Sequence, residues 1–222
     1  MDLGQLRNSR GELWLNVASS HYVLPDFVNL DNHVVLALLR VYPLLRPFLT
    51  ENRRKEFRTF REARTRAVLR RHDCRKPLPF PSGSVDHVLC SHFLEHVYPS
   101  EAVTILADFR RVLRNGGTLH VIVPDLKTLI DAYVSRAAEA EAVDKLITAS
   151  CLSFRNRPSL RYRVLEFLGY EGLKHRWMYT QPSMTQRLVE AGFRLLGKNA
   201  TPSWEVHAED GALSLHLVAE KV

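Results

Sequence analysis

Short apolar runs alternate along this chain with amphipathic stretches of helical period, and each run stops at small or polar residues. Residues 13–18, Leu-Trp-Leu-Asn-Val-Ala, give way to Ser19 and Ser20 and predict a buried strand. Residues 27–31 predict a second strand that ends on Asp31. From 33 to 66 the pattern is helical, interrupted by Pro43 and Pro47; residues 67–73 predict a thin third strand ending at Asp73. A Pro/Ser/Gly-rich loop (77–84) precedes a strand at 85–91. Residues 99–113 place Val103, Leu106, Phe109, Val112 and Leu113 on one helix face, opened by Pro99 and closed by Gly116 and Gly117. A strand at 118–123, a helix at 125–147, a short helix at 183–191 stopped by Gly192, and strands at 193–197 and 213–219 complete the pattern.

Strands alternating with helices predict an α/β fold: a mainly parallel sheet covered on both faces, with the final pair antiparallel. In such sheets ligands bind outside the carboxyl ends of the strands, where the strand order reverses. The ends to inspect are Ala18, Ser19 and Ser20; Asp31; Asp73; Ser91 and His92; and Pro124 and Asp125.

Length and composition narrow the class. The 222 residues suit one domain, here with a helical insertion at about 32–66, and 45% hydrophobic with 25% charged residues excludes wholesale disorder. The longest mostly apolar stretch, 34–49, is interrupted by Arg40, Pro43, Arg46 and Pro47 and is too short and too charged to span a bilayer. No basic segment followed by an apolar core opens the sequence, and the three cysteines, Cys74, Cys90 and Cys151, form no C-x-x-C pair. A reducing, cytoplasmic setting is the expectation.

The net charge of +7 is concentrated: nine bases stand against three acids between Glu51 and Arg71. The basic insertion reads as a solvated lid over an acceptor site, as a contact with an anionic membrane or lipid-linked glycan, or as an interface between two copies of the chain. A nucleic-acid partner is disfavoured, because no binding signature accompanies the arginines.

Five motifs in order resemble class I S-adenosylmethionine-dependent methyltransferases of the type 11 kind. They are Leu15-Asn16-Val17-Ala18-Ser19-Ser20 with Val28-Asn29-Leu30-Asp31; Asp73-Cys74 with Leu78-Pro79-Phe80 and Ser84-Val85-Asp86; Phe93-Leu94-Glu95-His96-Val97; Arg111-Val112-Leu113-Arg114-Asn115-Gly116-Gly117; and the tail His175-Arg176-Trp177-Met178-Tyr179 with Leu188-Val189-Glu190-Ala191-Gly192-Phe193. The resemblance covers residues 13–125 well and 170–222 loosely. It implies a Rossmann-like, seven-stranded sheet with the last strand antiparallel, and S-adenosylmethionine as cofactor.

The resemblance also implies roles for particular residues. Asn16, Val17, Ala18, Ser19 and Ser20 would hold the methionine part, Asp31 the ribose hydroxyls, Asp73 the adenine amino group with Cys74 beside the ring, and Ser91 and His92 would lie near the methyl group. The family carries glycine where this chain has Ala18 and Ser20, so both should adopt positive φ. That costs a non-glycine residue roughly 1–2 kcal/mol and would weaken cofactor binding about tenfold. Asp31 and Asp73 could instead be turn or cap residues, and Asp86, after a turn, reads as structural.

His92, Glu95 and His96 would share a face if a helix began near His92, and could then meet a divalent cation such as magnesium. Some methyltransferases resemble this with Glu-x-x-Glu-His at the same place; the alternative is a packing and hydrogen-bonding feature. His92 or His175 would supply the base for a hydroxyl acceptor. Asp125 could contact the acceptor or cap the following helix, and Trp177 and Tyr179 could wall its pocket, the aromatic faces suiting a sugar. The reading is O-methylation of a sugar or glycan-type small acceptor. The alternatives are a drifted Rossmann-like binding module or a nucleic-acid methyltransferase using the basic insertion.

Overall fold

The computed structural model describes residues 2–153, 159–160, 163–164, 174–196 and 213–222. Its strands are β1 (Trp14–Val17), β2 (Val28–Asp31), β3 (Leu69–Arg71), β4 (Val85–Ser91), β5 (Leu113–Pro124), β6 (Phe193–Leu195) and β7 (Ser214–Lys221). They form one sheet in the order β3-β2-β1-β4-β5-β7-β6. The first five run parallel to one another, while β7 lies antiparallel to both β5 and β6. The order reverses between β1 and β4, which sets a crevice at their carboxyl ends. The helices are α1 (Val34–Leu38), α2 (Tyr42–Leu45), α3 (Glu51–Arg66), α4 (Pro99–Val112), α5 (Leu126–Val134), α6 (Ala142–Ser150) and α7 (Gln181–Glu190). The expected strand at 193–197 and the tail at 170–222 lie partly outside the described residues.

The period-two alternation of the strands separates two faces. Leu15, Val17, Val28, Leu30, Val88, Cys90, Leu119, Val121 and Val123 point to the main core, where α4 contributes Ile105, Leu106 and Phe109 and α7 contributes Met184 and Leu188. The opposite face is more polar. A small cluster of Trp14, Phe27, Leu89 and Ile122 shares it with buried Asn16, Asn29, His87 and His120. Helices α1 to α3 form a separate cluster of Val35, Tyr42, Phe57, Phe60 and Ala63 against Leu69 of the edge strand β3.

Parallel neighbours are ordinarily joined through a helix, yet residues 18–27, between β1 and β2, contain none. Two buried asparagines take the helix's place. Asn29 donates through Nδ2 to the Leu24, Phe27 and Val68 carbonyls and accepts at Oδ1 from Leu24 N and Asn16 Nδ2. Asn16 also donates to the Tyr22 carbonyl at 3.0 Å. Side-chain amides, carrying both donors and acceptors, thus tie down a part-buried loop backbone that forms no regular structure.

Two expected boundaries move. Helix α4 ends at Val112, before the Gly-Gly pair, because the chain turns extended at Leu113. Gly116, at φ 71°, sits in an irregular opening of β5 where the register against β4 shifts. A side chain on Gly117 would meet the Arg114 carbonyl at 2.9 Å. The helix expected at 125–147 divides into α5 and α6, since residues 135–141 (Ser-Arg-Ala-Ala-Glu-Ala-Glu) offer no large apolar side chain to hold a face.

Candidate functional site at the strand ends

The chain leaves β1 through two left-handed residues, Ala18 at φ 54° and Ser20 at φ 49°. Both are the non-glycine residues at positions where glycine was the family expectation. The loop is fixed from below: Ser19 N donates to the Leu30 carbonyl at 3.0 Å, and Ser20 N to Asp31 Oδ2 at 2.8 Å. His33 N donates to Asp31 Oδ1 at 2.6 Å, so each Asp31 oxygen accepts one backbone N–H. A carboxylate oxygen has a second lone pair, so Asp31 keeps acceptor capacity for a diol. Burial pushes the Asp31 pKa up, against the two backbone donors that work to lower it.

The remaining cofactor candidates divide by side-chain direction. Asn16, 1% exposed, spends its amide on Tyr22 and Asn29 on the far face of the sheet, so its side chain does not serve the crevice. Val17 is in the main core, which leaves only its backbone for a ligand. Asp73 meets Arg75 in a two-point pairing, Nε to Oδ1 at 2.9 Å and Nη2 to Oδ2 at 2.8 Å. Burial works to raise its pKa, but Arg75 outweighs it and holds Asp73 below the ordinary carboxylate value. Cys74 is buried, its thiol pushed up to about 12 by that burial; only its backbone can lie beside a ligand.

At the end of β4, Ser91 is buried and His92 turns left-handed at φ 50°. The expected helix does not begin there; a single 3-10 turn spans Leu94–His96. His92 Nδ1 lies 3.1 Å from Oε1 of Glu95, a fully buried carboxylate. This dyad orients the ring and fixes its tautomer.

The cation set is consequently different from the expected one. Without a helix, His92 does not join Glu95 and His96 on a face; the donor atoms that lie within 4.8 Å of one another belong to Glu95, His96 and His175. His175 arrives because the Arg176 and Trp177 amides donate to the Glu95 carbonyl, at 2.6 and 3.2 Å. Its ring meets that of His96 edge-on, centroids 4.9 Å apart. Burial lowers the His175 pKa and favours the neutral imidazole.

The acceptor candidates separate as well. Tyr179 is wholly buried in the main core, its hydroxyl donating to the Leu94 carbonyl at 3.4 Å, and is therefore not a pocket wall. Trp177 is 46% exposed. Asp125 caps α5, accepting from Lys127 N at 2.9 Å and Thr128 Oγ1 at 3.1 Å.

Four residues that the sequence did not single out shape the site. His33 locks Asp31 from the backbone, stacks on Phe60 at 4.5 Å and faces Glu56 at 3.1 Å. Glu56 and Arg53 of α3 line, with Ser20, His21 and His33, a cavity of about 560 Å³ beside the strand-end loop. Arg75 neutralises Asp73. Arg75 and His33, each two residues from its partner, make local contacts; Glu56 and Arg53 depend on α3 folding back over the loop.

Residues 49–121 match a family model described as a methyltransferase domain. Comparison with curated proteins gives no match. Among solved structures, a SAM-dependent methyltransferase from Methanosarcina mazei is similar at TM-score 0.52 and 14% identity, over 95% of this chain and 92% of that one. A protein from Pyrococcus horikoshii OT3 aligns at 0.51 and 15%, over 98% and 84%. An O-methyltransferase family 2 protein from Planctomyces limnophilus, in complex with apigenin, aligns at 0.50 and 16%, over 96% of this chain and 51% of its own. At these identities the likeness is one of fold. The family match begins after Asp31, so the first strand-end loop rests on the geometry above.

Proposed function

We propose that this chain, a class I S-adenosylmethionine-dependent methyltransferase by its sheet order and its methyltransferase-domain match over residues 49–121, O-methylates a hydroxyl of a sugar or glycan-type small acceptor. The observation that carries the cofactor part is the Ala18-Ser19-Ser20 loop, left-handed at Ala18 and Ser20 and tied through the Ser20 amide to Asp31 at the switch point of the sheet. Left-handed residues turn the backbone tightly there, and small side chains leave room for a ligand. Asp31 accepts from two ribose hydroxyls with its remaining lone pairs. Asp73, paired with Arg75, offers an oxygen to the adenine edge. The cofactor, when bound, supplies a methyl group made electrophilic by a sulfonium.

His92 takes the proton from the acceptor hydroxyl. Glu95 holds Nδ1, leaves the other ring nitrogen as the basic one, and stabilises the imidazolium that results. Trp177 offers a half-exposed aromatic face against which a sugar ring can stack. Glu95, His96 and His175 fit a divalent cation by donor chemistry: one carboxylate and two imidazoles suit a first-row transition metal better than magnesium. His96 also places Nδ1 3.3 Å from the Lys174 carbonyl, an outer-shell partner of the kind metal-ligating histidines use.

The test is methyl transfer from isotopically labelled cofactor to a panel of sugars and other hydroxyl acceptors. His92→Ala should lower turnover by at least 10²-fold while leaving binding of S-adenosylhomocysteine intact. Labelling of RNA in place of the small acceptors would favour a nucleic-acid substrate. A stoichiometric Mn²⁺ or Zn²⁺ isotherm, abolished in His175→Ala, is expected for the cation site.

A further inference from the structure

The basic insertion carries an exposed face that holds none of the residues assigned to cofactor or acceptor. Between α1 and α3 the segment 39–49 is apolar on two sides. Tyr42, Leu45 and Leu49 turn inward; Tyr42 stacks on Phe57 at 4.7 Å and pins α2 to α3. Val41, Leu44 and Phe48, at the same i, i+3, i+7 spacing, turn outward, with Leu44 75% and Phe48 87% exposed. A stripe of large apolar side chains directed into water gains nothing from the fold.

Charge surrounds this stripe. Helices α1 to α3 and their connections hold nine bases against three acids, six of the chain's seven net positive charges. Arg40, Arg58, Arg61 and Arg64 line a cleft of about 570 Å³, with Glu62 its only acid. Arg40, Arg61 and Arg64 make no ion pair among the described residues, whereas Arg58 is paired with Glu51. Phe48 also lines, with Leu38, Leu45, Leu49 and Phe57, an apolar groove of about 640 Å³. An arginine cleft beside a protruding apolar stripe complements a bilayer, whose anionic headgroups lie just above its acyl chains.

We propose that this face docks on an anionic lipid bilayer, with Val41, Leu44 and Phe48 entering the acyl-chain boundary and Arg40, Arg61 and Arg64 taking lipid phosphates. Vesicle binding is read directly, so the proposal is tested without reference to the acceptor.

The experiment is co-sedimentation of the full chain with phosphatidylcholine vesicles, with and without phosphatidylglycerol. Binding is expected only to the anionic vesicles. L44S/F48S should lower the partition coefficient at least tenfold, with S-adenosylhomocysteine binding and thermal unfolding showing that the fold persists. R40E/R61E should abolish the preference for phosphatidylglycerol. Tryptophan placed by L44W should be quenched by bromine-labelled acyl chains, which separates insertion from adsorption. Absence of binding to anionic vesicles, equal binding by L44S/F48S, or capture of RNA or free inorganic phosphate without vesicle binding would each overturn the assignment.

Discussion

Ala18 and Ser20 show how one torsion relocates a cost. Left-handed backbone at a residue with Cβ is unfavourable by roughly 1–2 kcal/mol, and the sequence suggested that cofactor binding would bear it. The structure holds both residues in that region through hydrogen bonds of the loop itself, from Ser19 N to Leu30 and from Ser20 N to Asp31. The strain is therefore a charge on folding. Ala18→Gly and Ser20→Gly should each raise stability by about 0.5–1 kcal/mol in urea unfolding, glycine's extra unfolded-state entropy offsetting part of the relief. Cofactor affinity should stay within about threefold. A tenfold gain in affinity at unchanged stability would return the cost to binding. At the same scale, Glu95→Gln keeps the shape but removes the charge beside His92. It should lower turnover about 10-fold or more while cofactor binding persists.

Elements depend on polar groups that periodicity does not flag. The β1–β2 connection is a loop without a helix, held by Asn16 at the Tyr22 carbonyl and by Asn29 at the Leu24 backbone. Asn29→Leu removes the side-chain partner of the Phe27 carbonyl and of the Leu24 amide, and should cost about 1–3 kcal/mol in chemical unfolding. The same variant should weaken cofactor binding through the loop. On that polar face burial depresses His87 to about 3 and His120 to about 4. His21 and His175 are shifted down by burial as well. Each folded histidine resists a proton that the unfolded chain accepts near 6.5, so their stabilisation is complete above that pH and is lost as pH falls below it. Between pH 6.5 and 5 the decline should be about 1.4 kcal/mol per pH unit for each strongly shifted histidine. His120→Leu should flatten part of that slope in a pH series of urea midpoints; an unchanged slope would show that His120 is not the group that resists protonation.

Across the whole molecule, what was legible and what was not follow from range. The sheet, its parallel body and its antiparallel end were readable because apolar runs of strand length alternate with helical ones. The ends of β1, β2 and β4 were readable because each run stops on a small or polar residue. Longer-range placements were not. His175 reaches Glu95 from 80 residues away along the chain, Tyr179 sinks into the core, and α3 folds back over Ser20; no local pattern encodes these contacts. His92 was misplaced for a local reason, since a left-handed residue there prevents the helix that the H-x-x-E-H spacing suggested.

The central claim is that the Ala18-to-Ser20 loop and Asp31 form the cofactor site. It is tested most directly by calorimetric titration of S-adenosylhomocysteine into the wild-type chain and into Asp31→Ala. Removing a charged acceptor should weaken binding about 10- to 100-fold. Micromolar binding by the wild-type chain that falls by that factor in a folded Asp31→Ala variant is the predicted result. The absence of heat and of any thermal shift up to millimolar ligand, or equal binding by the variant, would contradict it.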